Sequence, residues 1–130
     1  MMRAMKIATI IARLLLGLAF TVFGLNFFLN FIHAEPPPPG LALDYFKVFS
    51  ASGYAHVVGA MQLLSGLLLL VGKFVPVALT ILAAMIFNIL RFHILMAPAL
   101  EDIAPALIVT LLWALVAWQH RDRFAGILRP

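Results

Sequence analysis

The chain has 130 residues, about one domain's worth, of which 65% are hydrophobic and 11% charged. A domain this small has too much surface per volume to hide so much apolar area in water. Composition therefore excludes a soluble enzyme, a disordered chain and a nucleic-acid binder, and points to an integral membrane protein. The formal net charge is +4, but it comes from only nine Lys and Arg, and their placement reads as topology. Cysteine is absent, which removes disulfides, thiolate nucleophiles, iron–sulfur clusters, thiolate zinc sites and any CxxC relay.

Four apolar runs divide the chain. Residues 14–32, 48–72, 74–90 and 103–119 carry no Asp, Glu, Lys or Arg, over 19, 25, 17 and 17 positions. A helix needs about 20 mainly apolar residues to cross a hydrocarbon core of about 30 Å. The first and third runs extend past Arg13 and Arg91. The expected transmembrane helices are at about 7–32, 54–72, 75–96 and 103–120. Met1–Lys6 looks like a basic n-region, but Arg13 interrupts the apolar run and no small-x-small site follows it. The first span therefore reads as retained, not as a cleaved signal.

The links have their own chemistry. Residues 33–53 form the one long loop, opened by Pro36-Pro37-Pro38-Pro39-Gly40, which favours extended polyproline. Residues 41–52 then mix Leu41, Leu43, Tyr45, Phe46, Val48 and Phe49 with Asp44, Lys47 and serines, which reads as a short amphipathic interfacial helix. Gly72-Lys73-Phe74-Val75-Pro76 is a tight turn, with Gly ending one helix and Pro opening the next. Ala97–Asp102 is a second short link, with acids near the start of the fourth helix.

Arg3, Lys6, Arg13, Lys73, Arg121, Arg123 and Arg129 fall at one end of the expected bundle. Lys47 falls at the other, with Glu35, Asp44, Glu101 and Asp102, while Arg91 is set apart. Basic residues mark the cytoplasmic side. Both termini are therefore expected in the cytoplasm, and the Pro-rich loop outside.

This topology gathers polar side chains in the outer half. Asn26, Asn30 and His33 are spaced i, i+4, i+7 on the first span; His56 and Gln62 follow on the second, and Asn88, Arg91 and His93 on the third. On a helix Asn88 and Arg91 share a face, while His93 points about 140° away from Asn88. The inner half is nearly all aliphatic and Phe, with Arg13 and Ser65 the main exceptions. The Tyr45/Phe46/Phe49 segment could lid the polar layer. Intramembrane polar groups either join helices by hydrogen bonds or face a ligand. The candidate ligand-binding residues are thus Asn26, Asn30, His56, Gln62, Asn88, Arg91 and His93. Simple alternatives stand beside this: interhelical glue for the amides, an interfacial place for His33 and His56, and snorkelling or pairing with Glu101 or Asp102 for Arg91.

No catalytic residue set is indicated, since every acid lies in an expected loop or tail. No HxxxH or HxxE spacing occurs, so no metal site is expected. Gly17 and Gly24, and Gly59 and Gly66, repeat at seven residues within their spans and predict a small-residue seam between helices. Trp113, Trp118, Tyr45 and Tyr54 read as interfacial anchors.

Three segments in order, 24–32 (GLNFFLNFI), 64–71 with 74–76 (LSGLLLLV, FVP) and 88–93 (NILRFH), resemble the DoxX and DoxX-like family of small membrane proteins. The resemblance covers nearly the whole chain. It implies an all-α, four-helix integral membrane bundle in a bacterial inner membrane, linked to membrane redox complexes and quinone chemistry. It carries over no catalytic residues; the matching polar positions are Asn26, Asn30, Asn88 and His93. The implied partners are the lipid bilayer and other membrane-complex subunits, or a second copy. Three roles follow: an accessory or anchoring subunit of a redox complex, a quinone- or lipid-binding protein using the outer polar layer, or an oligomeric small transporter.

Overall fold

The computed structural model describes residues 2–130. The elements are α1 (Met2–Leu29), α2 (Leu41–Ala51), α3 (Tyr54–Val71), α4 (Val75–Met96), α5 (Leu100–Gln119), α6 (Arg121–Phe124) and a closing 3₁₀ turn (Ala125–Leu128). Among the described residues every element is helical. α1, α3, α4 and α5 are long and apolar enough to cross a membrane. The chain is therefore an all-α, multi-pass membrane four-helix bundle, with a Pro-rich loop and one short helix between the first two spans.

The spanning helices form a ring in which α1 packs on α3 and α5, and α4 packs on the same two. The α1–α3 contact is the most extensive. Glycine explains it. A Cβ on Gly24 would lie 2.6 Å from the Leu63 backbone nitrogen, and one on Gly66 would lie 2.5 Å from that of Thr21. The expected seam is thus an antiparallel crossing in which two backbones approach closer than any side chain allows.

The turns follow their residues. Gly72 takes φ 80°, and its N–H and that of Lys73 both close on the Leu68 carbonyl. That is the left-handed end a helix commonly takes at glycine. Pro76 then occupies the first turn of α4, where no N–H is missed. The Arg13 guanidinium donates to the Leu69 carbonyl. It thereby places a cation at the negative end of α3, a favourable dipole contact.

Two boundaries differ from the sequence reading. α1 starts at Met2 and stops at Leu29. Asn30 turns the chain with φ 48°, a conformation asparagine tolerates better than most residues. His33 therefore lies beyond the helix and does not share a helical face with Asn26. α5 begins at Leu100, which puts Glu101 and Asp102 in its first turn and not in a loop.

The two ends of the bundle are packed differently. Toward the termini, Leu16, Leu69, Leu79, Leu82 and Val116 are wholly buried in one cluster with Ala12, Phe20, Val75, Ala78 and Ile86. Trp113 belongs to this end: its indole N–H donates to the Leu79 carbonyl at 2.9 Å across the α4–α5 contact. It is a half-buried packing residue and not the interfacial anchor expected from its position. Trp118 is exposed and stacks with Arg121 at 4.6 Å. Toward the loop, the same four helices leave space.

Candidate functional site

α2 lies across the loop end of the bundle, held chiefly by rings. Phe49 packs edge-on against Phe27 of α1 at 6.1 Å and tilts against Tyr54 of α3 at 5.7 Å. Tyr45 and Phe46 reach Phe92 of α4 at 5.2 and 5.6 Å. Tyr45 also stacks on Phe49 at 5.5 Å. Such pairs contribute about 0.5–1.5 kcal/mol each beyond the area they bury, so α2 is fixed by aromatic contact to three spanning helices.

Under α2 lie two cavities. The first, about 560 Å³, is bounded by α2, α3 and α4 with Phe27 of α1, and is lined by Tyr45, Tyr54, Asn88, Arg91 and Phe92 among others. The second, about 1040 Å³, reaches all four spanning helices and is lined by Asn26, Phe28, Asn30, His56, Glu101 and Asp102 among others. Both fall near the ordinary range for small-ligand sites, about 300–1,000 Å³. Phe27, Phe46, Phe49, Gln62, Ile89 and His93 line both, so these six side chains form the wall the cavities share.

All seven candidate residues line one cavity or both, yet their circumstances differ. Asn26 is tied to its own chain: its Oδ1 accepts from the Ile32 N–H at 2.8 Å, which secures the segment leaving α1. Asn88 donates to the Ala84 carbonyl at 2.9 Å and accepts from Arg91 at 2.7 Å. Arg91 also lies 5.9 Å from the Phe87 ring centroid. Its guanidinium is thus engaged within α4 at the wall of the first cavity, and of the alternatives open to it the pairing with Glu101 or Asp102 is not formed among the described residues. Those acids line the other cavity. His56 is exposed and stacks on Phe28 at 5.4 Å. Asn30 forms the turn after α1 and lines the second cavity.

Gln62 and His93 stand apart. Gln62 is 6% exposed on the second spanning helix, at the wall common to both cavities. Nδ1 of His93 is buried with no hydrogen-bond partner among the described residues. A buried polar group without a partner costs about 1–3 kcal/mol. Two more orphaned hydroxyls, those of Thr21 and Ser65, line neither cavity and sit at the tight α1–α3 seam.

Sequence reasoning missed Glu101, Asp102, Pro105, the buried ring of Phe20 and the half-exposed ring of Phe23, all of which line the larger cavity. One signal was available: a proline four residues after an acid, inside an apolar run, marks a helix start with a freed carbonyl. Among the described residues no group of three or more His, Asp or Glu is placed to hold a metal ion. The chain matches no family model, no curated protein and no solved structure.

Proposed function

We propose that this multi-pass protein is a DoxX-like subunit of a bacterial inner-membrane redox complex, and that its own contribution is to hold a quinone at the loop end of the bundle. The observation that carries the reading is the shared wall. Gln62 is almost wholly buried there, and His93 Nδ1 has no partner in the fold. A quinone head group is a flat ring with two carbonyl acceptors. The smaller cavity offers aromatic faces from Tyr45, Phe46, Phe49 and Phe92, with Gln62, His93, Tyr54 and Arg91 as donors around them. An apolar pocket with a few convergent polar groups is the usual form of such a site. The quinone would supply two-electron, two-proton redox capacity. The chain's residues would orient its ring and donate to its oxygens, with α2 covering one side.

In this reading electron donors and acceptors belong to partner subunits. The basic residues at the termini end favour N- and C-termini in the cytoplasm and the Pro-rich loop outside. Because the chain has no cysteine, single cysteines at Ala34 and Gly126 test this directly. An impermeant maleimide added to intact cells should label the Ala34→Cys variant and spare Gly126→Cys; the reverse pattern inverts the topology.

Native mass spectrometry of the protein extracted from its own membrane in a polymer disc tests the ligand. Quinone at fixed stoichiometry, lost in His93→Ala and Asn88→Ala, is the expected result. Quinone retained unchanged in both variants, or never present, rejects the site. Co-extraction of larger subunits would support the accessory role, and a solitary chain would weaken it.

A further inference from the structure

The two cavities carry opposite charge. Among the described residues, Arg91 is the one Lys or Arg lining the smaller cavity, whose walls hold no acid; Glu101 and Asp102 line the larger, which has no Lys or Arg in its walls. Acids in the first turn of α5 also complement its dipole, but three further features are unexplained by that. Proline lacks an N–H, so Pro105 leaves the Glu101 carbonyl without its helical donor and adds an acceptor at this rim. The walls are rich in phenyl rings, among them Phe20, Phe23, Phe27 and Phe28. And Gln62, 6% exposed, presents its amide to the same space.

Exposed carboxylates, ring faces that run from the buried Phe20 to the half-exposed Phe23 and Phe28, and the amide of a buried residue around one cavity are the recognition chemistry of an organic cation. Ring faces attract an ammonium or phosphonium centre through their quadrupoles, most strongly where water is excluded. The carboxylates add charge attraction, and the apolar walls take the organic substituents. A bare metal ion is a poor occupant, because a hard cation needs a shell of oxygen ligands and no three-ligand group is present among the described residues. We propose that the larger cavity binds a lipophilic organic cation, an amine or quaternary ammonium amphiphile, with its charged centre beside Glu101 and Asp102. The site differs from the quinone reading in its charged residues, which are absent from the smaller cavity, while Gln62 and Phe27 stand in the wall common to both.

The experiment is equilibrium binding of tetraphenylphosphonium to the purified full-length protein in lipid nanodiscs. Saturable binding is expected, displaced by dodecyltrimethylammonium and not by dodecanol, which has the same tail without the charge. The E101Q/D102N double variant should bind about tenfold more weakly or worse, as expected for the loss of two charges beside a cation. Asp122→Asn makes one such change at the other end of the bundle, so it should bind as the parent does. Displacement by dodecanol as effectively as by the ammonium would overturn the proposal using the unaltered protein alone. So would equal binding by the double variant, or an equal loss in Asp122→Asn. Quinone retention by the double variant in native mass spectrometry reports on the other site independently.

Discussion

The termini end of the bundle is solid and the loop end is hollow, although the same four helices build both. In the solid half, α1 and α3 touch backbone to backbone at Gly17 and Gly66, and aliphatic side chains fill the rest. In the hollow half, the cross-section is filled by rings and amides around open space, and α2 is needed to cover it. Side-chain packing holds membrane helices together, because lipid tails leave no hydrophobic incentive for association. Stability should therefore reside in the solid half, and binding in the half that forgoes packing.

The comparison can be broken most forcefully at Gly66. A leucine there would strike the Thr21 nitrogen at 2.5 Å and the Gly17 carbonyl oxygen at 2.8 Å, both backbone atoms. Gly66→Leu should cost about 4 kcal/mol or more, the range reserved for disrupted cores, and denaturant titration in micelles should find little folded protein. Next comes a matched pair. Leu82 is wholly buried in the solid half, so Leu82→Ala should lose about 3 kcal/mol with ligand affinity nearly intact. Phe46 is 41% exposed over the cavities, so Phe46→Ala should lose only about 1 kcal/mol while impairing binding. If Phe46→Ala proves the more destabilising of the two, the division of labour is wrong.

Gln62→Leu sharpens the contrast, because stability should hold or rise while binding falls. Gln62 is 6% exposed and its amide faces the cavities, so replacing it by an apolar group of similar volume should leave the fold at least as stable, with a gain of up to about 1 kcal/mol. Ligand retention should fall in the same variant, as native mass spectrometry would show. A destabilised Gln62→Leu would mean that the amide serves the fold. The smallest effect belongs to Asn30, whose φ of 48° suits glycine equally well. Asn30→Gly should shift unfolding by no more than about 0.5 kcal/mol, and a larger loss would assign Asn30 a structural or ligand role beyond its turn.

Much of this was legible in the sequence. Charge-free runs mark the spans because an unpaired charge is expensive in hydrocarbon, and seven-residue glycine spacing marks a close crossing. The seven polar candidates were found by depth along the expected helices, and all of them line the hollow. What could not be read was which were already engaged. Asn26 and Ile32 meet only because α1 ends at Leu29. Arg91 turns to Asn88 on its own helix and not to acids close by in sequence. Trp113 reads as an interfacial anchor but reaches inward to the carbonyl of a residue 34 positions away.

Sequence by itself determined that the chain enters a membrane, how many times it crosses, and which end gathers the polar groups, since these depend on transfer free energies that accrue residue by residue. Only the tertiary structure decided that the polar layer surrounds two cavities of opposite charge, that Gln62 and His93 form their common wall, and that Glu101 and Asp102 belong to one of them. A cavity is a property of what neighbouring helices fail to fill. That depends on the backbone approach at Gly17, Gly24, Gly59 and Gly66, which draws α1 and α3 together, and on where α2 lies across the space that remains.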